Sequence, residues 1–153
     1  MGPKKAPAEE VPAPPTFGTG EFELPDNSIY VGDWSETAGV KTRQGKGTLT
    51  MGVEVYEGDW EADAMHGEGT YATASGCTYV GQFERNLYAG EGTYSFLDGA
   101  SYSGSWQANK MHGTGVYTDS AGQVTQGTFR NGYYYTGDKV VPLRPTAPTA
   151  EQT

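Results

Sequence analysis

Two histidines and one cysteine are the residues of this chain whose types best suit metal binding or nucleophilic chemistry. His66 and His112 stand in matching Met-His-Gly triplets that lie two repeat units apart. If each unit is a β-hairpin, four strands separate them, or ~19 Å at ~4.8 Å per strand. One zinc ion needs its ligands within about 2 Å of itself. We therefore expect each imidazole to bind loop backbone, with no metal and no cofactor.

The remaining candidate chemistry is equally weak. Cys77 is the only cysteine and has no His placed to activate it, so we read it as a small strand residue beside a turn. The recurring G-x-G-[T/V]-[Y/L] motif resembles a phosphate-binding loop, but such a loop precedes a helix. Tyr71 and Tyr94 continue a strand-like pattern instead. The sequence thus predicts a protein that is not an enzyme and does not bind nucleotides.

These residues are embedded in an internal repeat. A pentapeptide of the form Y-x-G-x-[W/F] occurs five times, the last time with Thr in place of the leading Tyr, and begins at Tyr30, Tyr56, Tyr79, Tyr102 and Thr125. The G-x-G motif alternates with it and begins at Gly45, Gly67, Gly90 and Gly113, with an early variant at Gly18. Self-similarity at this period indicates stacked supersecondary units, each of which buries its apolar face against its neighbours.

The sequence predicts that each unit is a β-hairpin. Alternate positions hold Gly69, Tyr71 and Thr73, and the positions between them are polar or small, which is the period of a strand with two unlike faces. The strands are separated by pairs of residues that tolerate tight reversals, namely Asp26-Asn27, Ser75-Gly76, Asp98-Gly99 and Ala121-Gly122. The fold predicted from the residues is therefore all-β.

The segments that join one hairpin to the next are expected to be loops of one length. The segments Trp60 to Gly67, Phe83 to Gly90 and Trp106 to Gly113 are equally long. The first such segment, after Trp34, is four residues longer. It places Lys41, Arg43 and Lys46 together, in what is the only basic cluster of the repeat region.

Charge argues against several classes of partner. The net charge is -9, and residues 17–137 contain six basic and fifteen acidic residues. Nucleic acids and anionic membranes both require basic surfaces, so we expect no nucleic-acid partner and regard membrane binding as unfavourable. No apolar run is long enough for a transmembrane helix, which favours the cytoplasm or cytoskeleton.

The repeat resembles the MORN (membrane occupation and recognition nexus) repeat, whose pattern is roughly Y-x-G-x-W followed by H-G-x-G-x-Y. The match is nearly complete from Tyr56 to Gly76 and from Ser101 to Gly122. The resemblance implies an elongated single-layer antiparallel sheet of stacked β-hairpins over residues 17–137. Residues 1–16, rich in Pro and Ala, are expected to form a disordered arm, and residues 138–153 an extended or disordered tail.

The resemblance also implies recognition of other proteins by the sheet. We expect an aromatic, acid-rimmed groove that suits a basic amphipathic helix or extended segment. Its predicted floor is Tyr56, Trp60, Tyr79, Phe83, Tyr102 and Trp106, and its predicted steering charges are Glu57, Asp59 and Glu84. The alternative is that these rings only hold the hairpins together. The run Tyr133, Tyr134 and Tyr135 is interpreted either as a capping strand or as a terminal docking edge.

The expected function is that of a non-catalytic scaffold or adaptor in a ciliary or flagellar axoneme, because the chain resembles small ciliary MORN-repeat proteins and that resemblance implies assembly into axonemal complexes. A peripheral phospholipid-binding module is the first alternative, and an adaptor for a motor tail or kinase is the second. Exposed sheet ends also make self-association plausible.

Overall fold

The chain forms one open antiparallel sheet. The structure, a computed structural model, describes residues 11–143, and within them it contains no helix and hence no helix that could cross a membrane. Twelve strands pair in chain order, each with its sequence neighbours. They are β1 (Thr16–Glu23), β2 (Ile29–Thr37), β3 (Val40–Met51), β4 (Glu54–Glu61), β5 (Ala64–Ala72), β6 (Thr78–Glu84), β7 (Leu87–Ser95), β8 (Ser101–Gln107), β9 (Lys110–Thr118), β10 (Val124–Arg130), β11 (Tyr133–Thr136) and β12 (Lys139–Val141).

The predicted fold class, a single-layer antiparallel sheet of hairpins, is confirmed. Eleven strand-to-strand steps of ~4.8 Å make the sheet about 50 Å wide, against a strand length of about 25 Å, so it is elongated across its strands. The sheet extends to Val141, beyond residue 137, where the repeat array was predicted to end. The predicted arm and tail lie in part outside the described residues, at 1–10 and 144–153.

The segments expected to be linking loops are instead tight hairpins, which corrects the prediction. β4 turns into β5 through Ala62 and Asp63, at φ of 47° and 67°. Two consecutive residues with positive φ define the two-residue turn whose twist matches that of paired strands. The later units repeat this turn at Arg85-Asn86, Ala108-Asn109 and Asn131-Gly132.

The first unit contains the same kind of turn on a longer hairpin. Here Ala38 and Gly39 have φ of 51° and 79°. The four additional residues lengthen β2 and β3 by two residues each, so this hairpin projects about 7 Å farther than the others. Lys41 and Arg43 are therefore strand residues on β3 rather than loop residues.

The opposite ends of the hairpins reverse where the sequence predicts. Gly76, Gly99 and Gly122 adopt φ of 87°, 88° and 85°, and each donates its N–H to the carbonyl three residues earlier. The Asp98 side chain accepts the Ala100 N–H at 3.1 Å. Glycine and a short polar side chain thus supply the two requirements of the turn, a left-handed residue and a local acceptor.

Pairs of glycines across neighbouring strands make room for a row of tyrosine rings. Gly58 on β4 is opposite Gly69 on β5, and the Tyr56 ring lies over both. A Cβ added to Gly69 would lie 2.6 Å from the Tyr56 ring, closer than any real Cβ contact. The Tyr56 hydroxyl donates to the Asp59 carbonyl at 2.7 Å. The glycines of the repeat are therefore sites where a ring replaces the missing side chain.

Aromatic contacts join each unit to the next. The Tyr56 ring meets the Phe83 ring of the following unit edge-on, with centroids 5.0 Å apart. The same contact recurs along the sheet in the pairs Tyr30–Trp60, Tyr79–Trp106 and Tyr102–Phe129. Each edge-to-face pair adds about 0.5 to 1.5 kcal/mol beyond area burial. The core is thus one continuous row of rings rather than a separate core for each unit.

Hydrogen bonds between neighbouring units reinforce these aromatic contacts at the edge of the sheet where the two-residue turns lie. Asn86 donates its N–H to the Met65 carbonyl at 3.0 Å, and its side-chain oxygen accepts the Met65 N–H at 2.9 Å. Asn109 and Tyr88 form the same reciprocal pair one unit later. These two turns are therefore bonded to the unit before them, which couples neighbouring units through backbone as well as through rings.

Candidate partner-binding surface

The two faces of the sheet differ in chemistry. One face, called here the aromatic face, carries the Tyr and Trp or Phe of each pentapeptide. The other, the polar face, carries the residues between them, such as Glu57, Thr70 and Val80, which pair in one row across the strands. Successive strand residues point to opposite faces, so the repeat sorts its side chains by odd and even position.

The predicted groove floor lies inside the core of the sheet. Six aromatic residues were predicted to form it, and each has 0% to 8% of its surface exposed: Tyr56, Trp60, Tyr79, Phe83, Tyr102 and Trp106. Rings this deeply buried contact one another and leave little surface to a partner. The burial favours the alternative interpretation, in which these rings hold the hairpins together, and their contact with a partner stays a prediction.

The predicted steering charges do not line the aromatic face. Glu57 and Glu84 each follow a buried ring in their strand and so point to the polar face. Asp59 accepts the Glu68 N–H at 3.0 Å and forms an ion pair with Lys46. The hydrogen bond from Lys46 lowers the pKa of the Asp59 carboxyl. The expectation of one groove with an acidic rim is thus corrected, because its floor and its acids belong to opposite faces.

The tyrosine run is not an open edge. Its strand, β11, pairs with β10 on one side and β12 on the other. Tyr134 packs on Phe129 with ring centroids 5.4 Å apart, whereas Tyr133 is 60% exposed. Within residues 11–143 the unpaired edges are those of β1 and β12, which corrects the predicted position of the docking edge.

A groove does exist on the aromatic face, but other residues line it. Two adjoining hollows of about 290 and 220 Å³ share Tyr88 and Asn109. Their apolar lining is half-buried or buried and consists of Met65, Tyr71, Tyr88, Tyr94, Phe96, Trp106 and Met111. Of the predicted floor, Trp106 alone lines either hollow. The repeat carries a signal for the others, because Met65, Tyr88 and Met111 all stand two residues before the G-x-G motif.

Tyr88 joins the groove to the core. Its ring stacks on Tyr79 with centroids 3.9 Å apart and meets Trp106 edge-on at 5.6 Å. Burial is the main cause that raises the pKa of the Tyr88 hydroxyl. Two rings of the predicted floor, Tyr79 and Trp106, therefore pack against Tyr88 and hold it in position in the groove.

Comparison with known protein families identifies three of these repeat units. The family model of the MORN repeat matches residues 56–78, 79–101 and 102–124, so each match begins at the tyrosine that opens a pentapeptide. Residues 56–124 are three consecutive MORN repeats. MORN repeats are protein- or membrane-interaction modules. No curated protein matches the chain.

The row of aromatic rings extends beyond the three matched repeats. Tyr30 has 1% of its surface exposed and contacts Trp60 of the first matched repeat. Phe129 is fully buried and contacts Tyr102 of the last matched repeat. Both lie at repeat positions outside 56–124. The unmatched units thus cover the two ends of the row of rings, as terminal repeats of an array do.

The histidines of the MORN repeats have neighbours of their own. His112 Nδ1 accepts the Asn131 N–H at 3.4 Å, so this ring bonds turn backbone of the next unit as predicted. His66 Nε2 lies 3.2 Å from a Glu61 carboxylate oxygen, which is a side-chain contact rather than the predicted backbone one. Within residues 11–143 no group of three His, Cys, Asp or Glu side chains could hold a metal ion.

Buried tyrosines make the stability of the MORN array sensitive to alkali. Burial raises the pKa of Tyr30 and Tyr102 to about 12, from the ordinary tyrosine value of 10.0. Between these two pH values the unfolded chain loses protons that the folded chain retains. The free energy of unfolding should therefore fall above pH 10, by up to about 1.4 kcal/mol per pH unit for each such tyrosine. Urea unfolding at stepped pH, with tyrosinate absorbance of the folded chain, checks this; complete ionisation near pH 10 before unfolding would contradict it.

Proposed function

We propose that this chain is a non-catalytic scaffold that binds a partner polypeptide on its aromatic face, as a structural component of a ciliary or flagellar axonemal complex. The supporting observation is the groove around Tyr88. Its aromatic and Met side chains are only partly covered by the sheet, so they offer apolar surface that a partner can bury. Met is well suited to such a surface because its flexible thioether adapts to the ligand.

The spacing of the groove suits a helix that crosses the strands. Met65, Tyr88 and Met111 lie on β5, β7 and β9, at intervals of two strands, or about 9.6 Å. Residues i and i+7 of an α-helix are about 10.5 Å apart along its axis. An amphipathic helix can therefore set one apolar side chain at each of the three positions. Lys or Arg on its outer side would be attracted by the net charge of -9.

The structure gives the membrane alternative little support. The three basic residues do not form one surface, because Lys41 and Arg43 lie on the aromatic face and Lys46 on the polar face. Arg43 is paired with Asp63, and Lys46 with Asp59. An anionic leaflet needs a contiguous cluster of unpaired cations. An adaptor for a motor tail or kinase would use the same groove with another partner.

Two adjacent residues on opposite faces allow a matched test. Tyr71 lines the groove, and Thr70 lies next to it on the polar face. We expect the full chain and T70K, expressed with a tag in ciliated cells, to remain with the axonemes after detergent extraction. Y71K should move to the soluble fraction because a buried ammonium excludes the partner's apolar side chain. Urea unfolding of both variants controls for folding.

Each outcome bears on a different part of the proposal. Absence of the wild-type chain from axonemes would contradict the ciliary placement and favour an adaptor elsewhere in the cell. Equal retention of Y71K and the wild type would contradict the aromatic face as the binding surface. Loss of T70K together with retention of Y71K would instead assign binding to the polar face.

A further inference from the structure

The first unit carries a hollow that the central groove does not include. It has a volume of about 330 Å³ and lies on the aromatic face, where the long first hairpin projects. Its walls include the rings of Phe22, Tyr30 and Trp34 and the side chain of Leu24, and its basic residues are Lys41 and Arg43. A concave surface of aromatic rings that also presents cations is suited to a ligand with both an apolar body and a negative charge.

Both cations are held against rings. The Lys41 ammonium lies 4.1 Å from the Trp34 ring centroid and 5.2 Å from that of Phe22. The Arg43 guanidinium lies 4.3 Å from the centroid of Trp60. Aromatic rings attract a cation through their faces without neutralising it. The rings therefore position both cations without neutralising them.

The charges of the hollow do not cancel. Asp63 pairs with Arg43, accepting from its Nε at 3.2 Å. Lys41 forms no ion pair among the described residues, although Glu36 is opposite it on β2. Glu23 also borders the hollow, but it lies between Phe22 and Leu24 in the chain and points to the polar face. One positive charge thus remains outside any ion pair on a chain whose net charge is -9.

Cations at the positions of Lys41 and Arg43 occur in the first unit alone. Arg43 is opposite Trp34, just as Met65 is opposite Trp60 and Met111 is opposite Trp106. The position that is apolar in these later units is therefore cationic here. Lys41 lies two residues farther along the longer hairpin, at a position that the shorter ones lack.

We propose that this hollow binds a carboxylate side chain of a partner peptide, with an apolar side chain next to it in the peptide packed on Trp34 and Phe22. The ligand is an Asp or Glu beside a Phe, Leu or similar residue. A single unpaired cation matches one carboxylate, whereas a multiply charged phosphate would meet the negative field of the rest of the chain. The site is separate from the groove around Tyr88 and does not depend on the axonemal placement.

The three tryptophans provide a direct readout. We would titrate the full chain with the blocked peptide acetyl-Gly-Phe-Glu-Gly-amide and follow the three indole N–H signals by NMR. Trp34 and Trp60 flank the two cations, while Trp106 lies in the central groove. We expect the first two signals to shift and that of Trp106 to stay in place. The twin peptide with Gln for Glu should bind about tenfold more weakly, the effect of one charge-assisted hydrogen bond.

Matched variants separate charge from folding. The double change R43M/D63N introduces the residue types found one unit later, where the Asn86 side chain bonds the Met65 backbone, and this variant should fold normally. K41Q removes the unpaired charge alone. We expect K41Q to weaken the Glu peptide by about tenfold or more and to leave the Gln twin unaffected, whereas R43M/D63N removes an ion pair with no net charge and should leave the preference for Glu over Gln in place. An unchanged urea midpoint and Trp106 signal confirm the fold.

Three results would overturn the proposal. The first is equal binding of the Glu and Gln peptides, and the second is unchanged binding by K41Q. The third is binding to phosphatidylserine vesicles, lost in K41Q, with no binding to the peptide, which would assign the hollow to a lipid surface. The axonemal fractionation of Y71K and T70K is independent of all three, so either proposal can fail alone.

Discussion

Replacing Gly81 with Val should unfold the centre of the array, whereas replacing its neighbour Val80 with Ser should have little effect. A Cβ on Gly81 would lie 2.4 Å from the Gly92 Cα and 2.5 Å from the Glu91 carbonyl oxygen, and both are backbone atoms of the paired strand. Backbone cannot yield as a side-chain end can, so β6 and β7 would have to separate. We expect a loss of about 3 kcal/mol or more in the free energy of unfolding.

Val80 provides the matched control because it is adjacent in sequence and opposite in orientation. It lies on the polar face and is 53% exposed. Its substitution by Ser should change stability by about 0.5 kcal/mol or less, as is usual for surface positions. Urea unfolding followed by tryptophan fluorescence measures both variants. Comparable midpoints for G81V and V80S would contradict the close approach of β6 and β7 at this glycine pair.

The hairpins and their order could be predicted because they depend on local spacing. Aromatic residues and glycines recur at a fixed period, and they alternate with polar residues within each strand. The turns at Gly76 and Gly99 use residues that favour a left-handed conformation, so they were visible in the sequence. The turn at Ala62 and Asp63 was missed because Ala seldom adopts positive φ. It is held by contact with the preceding unit, where Asp63 bonds the Arg43 backbone at 2.7 Å.

The binding surface was harder to predict because burial is decided between units. Tyr79 and Tyr88 are both aromatic, and both belong to the repeat, but Tyr79 is fully buried while Tyr88 still lines a hollow. Tyr79 is covered by residues of other strands, because Tyr88 on β7 stacks on its ring at 3.9 Å and Trp106 on β8 meets it edge-on at 5.3 Å. No property of Tyr79 within its own strand reveals this cover. The most regular residues of the repeat therefore form its core, and the less regular Tyr88 supplies its surface.

The predicted acidic rim failed because neighbouring residues of a strand lie on opposite faces of the sheet. Glu57 follows Tyr56 directly in sequence, and proximity along the chain suggested a shared surface. In a strand, adjacent residues point in opposite directions. Asp59 is further removed from a steering role because it binds the Glu68 backbone where the strand pairing is irregular. Its charge serves the hairpin rather than a ligand.

Replacing Tyr79 with Ala should cost about 3 to 5 kcal/mol, as does truncation of other fully buried aromatic side chains. Tyr79 has none of its surface exposed and packs against Phe83, Tyr88 and Trp106. Since Trp106 belongs to the following repeat, the cavity would lie between two units rather than within one. We expect the urea midpoint to fall strongly, and a second, separate unfolding transition to appear.

The milder change to Phe distinguishes ring packing from hydrogen bonding. Y79F keeps the three ring contacts and removes the hydroxyl, which donates to the Gln82 carbonyl at 2.8 Å. The loss should be about 1 kcal/mol, with a single transition retained, because one hydrogen bond contributes about that much. In a linear array, stability is a sum of unit and interface terms, so only removal of an interface can divide the transition. Hydrogen exchange resolves the two cases: in Y79A, protection should decrease from β6 onward and persist in β2 to β4. A uniform decrease along all strands would show instead that the sheet unfolds as one cooperative body and that the ring row does not set its divisions.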